Sequence, residues 1–302
     1  MLLFFEQLLN GLQFGFMLFL LSAGLTLVFG VMNLINLAHG SFYMVGAYVA
    51  ATVMLASGSF VLALLVALLV AAACGLLVEV IVLRHLYRRD HLDQVLATFG
   101  LILFFNEATR MIWGRQPLFM QLPEFLSSTV EVLPDVPYPL YRLVIIGVGL
   151  AVALGLYLLI NHTRLGMRIR AGASDRSMIA ALGVNIRWLY SLVFALGALL
   201  AGFAGVMAAP IFAVESGMGE SILILTFVVI VIGGIGSIKG ALLGALLVGL
   251  VDTLGRAFLP DLLQWLFTTS SANSIAASLA SMSIYILMAA ILAFKPRGLF
   301  PV

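Results

Sequence analysis

Apolar runs long enough to cross a membrane recur along the chain, at about residues 8–30, 60–83, 95–113, 142–161, 190–213, 222–238, 241–258 and 275–294. One helix needs roughly 20 apolar residues to span a hydrocarbon core about 30 Å thick. A ninth run, at about 40–57, is shorter and glycine-rich. None shows the alternating ~10-residue pattern of an outer-membrane barrel. Helices satisfy their own backbone in lipid. The pattern therefore predicts an all-α, polytopic transmembrane bundle of about eight to nine spans, with short interfacial or broken helices, in one domain over residues 1–302. Charge agrees, because 9% of residues are charged and 63% hydrophobic, against about 25% charged in soluble domains. That excludes both a soluble surface and a disordered chain. The first run follows Glu6, with no Lys or Arg before Arg84. A secretory signal needs a basic start, so this run is expected to be a retained span.

Lys and Arg set the orientation. They gather in one loop with Arg84, Arg88 and Arg89, in a second (about 162–189) with Arg164, Arg168, Arg170, Arg176 and Arg187, and in a tail with Lys295 and Arg297. These three segments are expected on the cytoplasmic side. The segment 114–141 carries Glu124, Glu131 and Asp135 against Arg115, and is expected outside, as are Glu215 and Glu220. Nine spans put the N-terminus outside and the C-terminus inside; a re-entrant 31–45 would give eight spans and move the N-terminus inside.

Three stretches are too polar for their depth. The first, residues 33–43, holds Asn33, Asn36, His39, Ser41 and Tyr43. Such a stretch survives at membrane depth only when buried or lining a cavity. It reads either as a helix broken at a substrate path or as an ordinary cytoplasmic turn. The second, 233–240 (GGIGSIKG), fails the phosphate-loop pattern, because Lys239 is followed by Gly240 and not by Ser or Thr; a helix break or tight turn is expected. In the third, Ser174-Asp175 is placed to cap a short helix that Gly183 ends after about two turns. Met178, Ala181 and Leu182 would share one apolar face, either lying on the membrane or offered to a partner's groove.

Small residues repeat at four-residue spacing, as at Gly11 and Gly15, at Gly197, Ala201 and Gly205, and at Gly240 and Gly244. That spacing lets helices pack closely. The ionisable groups inside spans are Glu79, Glu107, Arg110, Asp252 and Arg256; pairing is expected for Asp252 with Arg256 and for Glu79 with Arg84. They form no carboxylate relay. Cys74 is the one cysteine and the four histidines are scattered; no metal site and no catalytic set is expected. Residues 259–274, with Trp265 and a Thr/Ser run, carry no motif that assigns them; a short interfacial helix is one reading.

Gly24-Leu-Thr-Leu-Val-Phe-Gly30 with residues 33–48 (NLINLAHGSFYMVGAY) resembles the membrane subunits of bacterial ABC importers for branched-chain amino acids. Residues 170–185 (RAGASDRSMIAALGVN) are similar to that family's cytoplasmic loop. The Gly197–Gly205 run, residues 233–249 and residues 295–300 (KPRGLF) fit too, in order along the chain. The resemblance implies a permease subunit, not itself an enzyme, of the inner (cytoplasmic) membrane. It would work with a second related permease, two ATPase subunits that hold ATP and Mg, and an external solute-binding protein. It also implies that Arg170, Asp175, Arg176, Met178, Ala181, Leu182 and Gly183 couple to an ATPase. Asn33, Asn36, His39, Ser41 and Tyr43 become the candidates for the translocation path. Related permeases for urea and short amides share much of the pattern. An autonomous ion-coupled transporter is the alternative from another class.

Overall fold

The computed structural model describes residues 2–87, 89–133, 136–265 and 268–300. Arg88 and Asp135, counted above among the loop charges, lie outside the described residues. The long helices are α1 (Leu2–Met32), α2 (His39–Ser57), α3 (Phe60–Ile81) and α4 (His91–Trp113). A one-turn α5 (Glu124–Ser127) precedes strands β1 (Thr129–Leu133) and β2 (Val136–Pro139). Then come α6 (Leu140–His162), the loop helices α7 (Arg164–Ser174) and α8 (Arg176–Ala181), and α9 (Ile186–Ala208), α10 (Met218–Gly233), α11 (Ile238–Leu263) and α12 (Thr269–Phe294).

Among the described residues eight helices are long and apolar enough to cross a membrane. The 40–57 run forms the shortest of these eight, the continuous 19-residue α2, and α10, with 16 residues, is shorter still. At 1.5 Å per residue α10 is about 24 Å long. It stops where the sequence reading expected a break. Gly234 and Gly236 take φ of +103° and +86°, open to glycine without a Cβ clash, and Ser237 caps α11 by accepting from Gly240 N–H at 3.1 Å. Among the described residues of 259–274 there is no separate interfacial helix: α11 runs through Pro260 to Leu263, and α12 begins at Thr269. Trp265, between them, is exposed.

The chain divides into two compact units. One comprises Leu20–Pro123 and Ala151–Leu225. Its core is α2, α3 and α9, packed against one another through small residues. Ala63, Ala67, Ala71 and Gly75 make a buried four-residue-spaced stripe on α3. A Cβ on Gly75 would lie 2.3 Å from Ala198 Cβ, and one on Gly202 2.3 Å from Ala71 Cβ. A Cβ on Gly46 would lie 2.5 Å from Gly202 O, so α2 and α9 touch backbone to backbone. The opposite face of α3 leaves Leu65, Leu69, Leu77 and Ile81 exposed, the surface expected against lipid.

The other unit comprises Met1–Phe19, Glu124–Leu150 and Thr226–Val302. Here Gly11 and Gly15 meet α11 at Leu250, Gly249 and Leu246. The tail folds back on the α10–α11 turn: Leu299 N–H donates to Ile232 O and Phe300 N–H to Gly233 O, both at 2.9 Å. Thus two motifs far apart in sequence, GGIGSIKG and KPRGLF, form one packed corner. Residues 124–139 hold a helical turn and a two-stranded antiparallel hairpin that the sequence reading did not place. Tyr138 anchors the hairpin by donating to Asn10 Oδ1 at 3.0 Å, an oxygen that Arg142 shares.

Candidate functional site

The polar stretch divides at His39. Residues 33–38 are non-helical, and Asn33, the one non-glycine residue with positive φ (+50°) among those described, is exposed. Asn36 is buried and its Oδ1 accepts from Ala38 N–H at 3.1 Å, which turns the chain into α2. His39, Ser41 and Tyr43 sit in the first turns of α2, all buried. His39 Nε2 meets Leu21 O at 3.1 Å, so the ring bridges back to α1. His39 Nδ1 and Asn36 Nδ2 have no partner, which is unusual for buried polar atoms. The structure thus gathers Asn36, His39, Ser41 and Tyr43 within one helix-packed region and leaves Asn33 outside it.

Ser41 lines a narrow crevice with Gly40, Met44, Asn106, Gly219 and Glu220. Its walls are α2, α4 and the start of α10. They close tightly because neither Gly40 nor Gly219 carries a side chain: a Cβ on Gly40 would lie 2.1 Å from Gly219 O. Asn106 donates to the Glu220 carboxylate, and Ser216 Oγ donates to Asn106 O at 3.3 Å. Sequence reasoning missed Asn106 and Gly219, and used Glu220 only for orientation. No local spacing links α4 to α10; the available signal was an Asn inside an apolar run.

The basic loop folds as anticipated from its caps. Asp175 accepts from Ser177 N–H at 2.8 Å, Ser177 Oγ at 2.6 Å and Met178 N–H at 3.0 Å. Those bonds, the Ser177 hydroxyl first, hold the Asp175 carboxyl below its usual range. Gly183, with φ +84°, ends the helix. Ile179 turns inward and is 4% exposed, whereas Met178 and Leu182 are 63% and 77% exposed, and Ala181 and Arg176 are exposed beside them. Arg170 donates to Ile160 O at the end of α6. Gly166 packs against the carbonyls of Leu159 and Ile160, which seats α7 on the same helix end. An apolar patch is thereby left uncovered on a rigidly mounted loop.

Behind the loop, Glu79 is fully buried at the end of α3. Arg84 Nη2 reaches its Oε2 at 3.1 Å, the Tyr87 hydroxyl donates to Oε1 at 2.6 Å, and the Ser191 hydroxyl on α9 donates to Oε2 at 2.6 Å. Burial, then the bond to Glu79, pushes the Tyr87 hydroxyl up, so it remains a proton donor at physiological pH. The expected pairs Asp252–Arg256 (2.9 Å) and Glu79–Arg84 (3.1 Å) are both present, and Glu107 pairs with Arg110 at 2.6 Å. The participation of Tyr87 and Ser191 was not legible.

Residues 7–292 match the family described as the permease component of the branched-chain amino acid transport system. The chain is 32% identical to the high-affinity branched-chain amino acid transport system permease protein BraD of Pseudomonas aeruginosa, over 85% of this chain and 88% of that one. It is 29% identical to LivH of Escherichia coli K12, named in the same way, over 85% and 87% of the two chains. It is also 26% identical to the ribose import permease RbsC of Escherichia coli K12, over 77% and 72%. No solved structure matches the chain.

Proposed function

Because the chain belongs to the family of branched-chain amino acid transport permease components, we propose that it is one of two permease subunits of an ATP-driven importer of branched-chain or other hydrophobic amino acids. It is a multi-pass membrane protein and a transporter component. On this reading it lies in a bacterial inner membrane and forms half of the translocation path. A second, related permease, two cytoplasmic ATPase subunits and an external solute-binding protein complete the complex. ATP and Mg belong to the ATPases; this chain supplies only the mechanical connection.

The observation that carries the reading is the α8 patch. Met178 and Leu182 are exposed on a helix fixed at its start by Asp175 and at its end by Gly183. Exposed apolar side chains in a loop assigned by its arginines to the cytoplasm suit a protein groove better than water. Arg170, Arg176, Ala181 and Gly183 belong to the same contact. Motion of an ATPase would reach α9 directly, since Ile186 follows four residues after Leu182.

For the path we assign Ser41 to the wall, Asn33 and Asn36 to the non-helical turn before α2, and His39 and Tyr43 to the first turns of α2 that hold Ser41 in place. Alternating access would open the crevice at the Gly40–Gly219 contact. The test is uptake of a labelled amino-acid panel, with urea and ribose, into vesicles holding the reconstituted complex. Leucine, isoleucine and valine should enter only with ATP and the binding protein. Met178→Asp/Leu182→Asp should abolish uptake and ATPase stimulation while the permeases still assemble. Normal transport in that variant sinks the coupling assignment. In a Cys74→Ser chain, Ser41→Cys should react with a small thiol reagent during turnover and be protected when the path is locked shut; a labelling rate independent of turnover removes Ser41 from the path.

A further inference from the structure

A cavity of about 990 Å³ lies between the loop helices and the loop-side ends of α3 and α9, lined by Arg84, Tyr87, Ser174, Arg176, Arg187 and Tyr190, among others. Its charge is unbalanced. Arg84 is committed to Glu79, but among the described residues neither Arg176 nor Arg187 is in an ion pair. Asp175 also lines the cavity, yet its carboxylate is occupied by the three bonds of the helix cap. Tyr190, 3% exposed, carries a buried hydroxyl that lies against the Arg176 guanidinium and has no acceptor for its own proton. A buried hydroxyl with an unspent proton, beside two guanidiniums outside any ion pair among the described residues, is an arrangement that suits an anionic acceptor.

We propose that this cavity binds the phosphate of an anionic phospholipid headgroup, with Arg176, Arg187 and the Tyr190 hydroxyl as donors to the phosphoryl oxygens. Three features favour a lipid over a protein carboxylate. The lining residues flank the ends of the spans Phe60–His85 and Ile186–Ala208, which is headgroup depth. Basic pockets at the cytoplasmic ends of helices, edged by tyrosines, suit phospholipid heads. Leu77 and Ile81, exposed on α3 just before Arg84, offer a track for acyl chains. The surface free to meet a protein is different and apolar, at Met178 and Leu182. The inference rests on the chain lying in a membrane; it shares Arg176 with the proposed ATPase contact, and Arg187 and Tyr190, outside that contact, let either reading fail alone.

The test uses the full chain, delipidated in detergent and titrated with phosphatidylglycerol, phosphatidylcholine, glycerol phosphate or inorganic phosphate, with adducts counted by native mass spectrometry. One phosphatidylglycerol should bind at least tenfold tighter than phosphatidylcholine. R176Q/R187Q should weaken it about thirtyfold, at the usual contribution of one basic residue near an anionic surface. Y190F should weaken it severalfold with unchanged thermal unfolding. R164Q/R168Q, with the same charge loss outside the cavity, should leave it intact. Equal retention by wild type and R176Q/R187Q overturns the proposal. Retention unchanged while ATPase binding falls overturns it too, assigning the cavity to an acidic protein segment. Displacement by micromolar inorganic phosphate or glycerol phosphate overturns the lipid source.

Discussion

Glu79→Gln is the sharpest perturbation of the cytoplasmic end. The substitution keeps the side-chain shape and removes one charge from a site with 0% exposure. Three donors converge there, from Arg84, Tyr87 and Ser191. Breaking a buried ion pair by removing one partner costs about 3–5 kcal/mol, because the other charge stays behind without compensation. Arg84 is 33% exposed, so water recovers part of that loss, and the expected cost is about 2–3 kcal/mol. Removing both charges should cost less than either removal implies. Glu79→Gln/Arg84→Met leaves no stranded ion, keeps an amide group to meet the Tyr87 and Ser191 hydroxyls, and is expected within about 1 kcal/mol of wild type, since buried pairs often break even against neutral replacements.

The assay is a double-mutant cycle on the purified chain, unfolded in mixed micelles by added denaturing detergent. It should return a coupling energy near 2 kcal/mol between positions 79 and 84, where independent sites would give under about 0.5. A Glu79→Gln loss below about 0.5 kcal/mol, or a double-variant loss equal to the sum of the singles, refutes the reasoning. Ser191 sits six residues beyond the N-cap Asn185 of α9, so the cluster ties α3 to the helix that receives the loop. Glu79→Gln should therefore also raise ATP hydrolysis uncoupled from uptake in the reconstituted complex.

Gly46→Ala should destabilise the α2–α9 crossing by about 1–3 kcal/mol, because its Cβ would sit 2.5 Å from the Gly202 carbonyl; more aggregate in size-exclusion chromatography and a lower unfolding midpoint check this. Asp175→Asn should keep the α8 cap and most of the uptake, and Asp175→Ala should lose uptake, because Asn caps as well as Asp. The carboxyl is lowered in the folded chain, so its contribution is fully present above the ordinary carboxylate range and fades only as pH falls through the depressed value; uptake between pH 5.5 and 8 should not change through Asp175. Gly298→Ala should free the tail, because φ is +83° and a Cβ would lie 2.6 Å from Gly234; faster trypsin cleavage after Arg297 reports it.

The spans and the loop helix were readable because their signals are local. A 3.6-residue helix in lipid needs only a run of apolar residues, and α8 needs only Asp175 before it and Gly183 after it. The ion pairs were readable for the same reason, since each of the three closes within five residues. What the sequence concealed is the set of contacts that joins these local pieces. Ser191 reaches Glu79 across 112 positions and Asn106 reaches Glu220 across 114; no periodicity connects helices that far apart. The glycines illustrate the division well. Spacing identifies Gly197, Ala201 and Gly205 as a close-packing face, but not that Gly205 approaches Tyr43 O of α2 while Gly197 approaches Val28 of α1. The hairpin at 129–139 escaped because a search for span-length windows passes over a strand of five residues. Short local signals thus fix which segments are helices, and small residues fix that they pack. The partners follow from three-dimensional closure, and it is this closure that brings the polar Asn106 and Glu220 of two other helices to the wall of the Ser41 crevice.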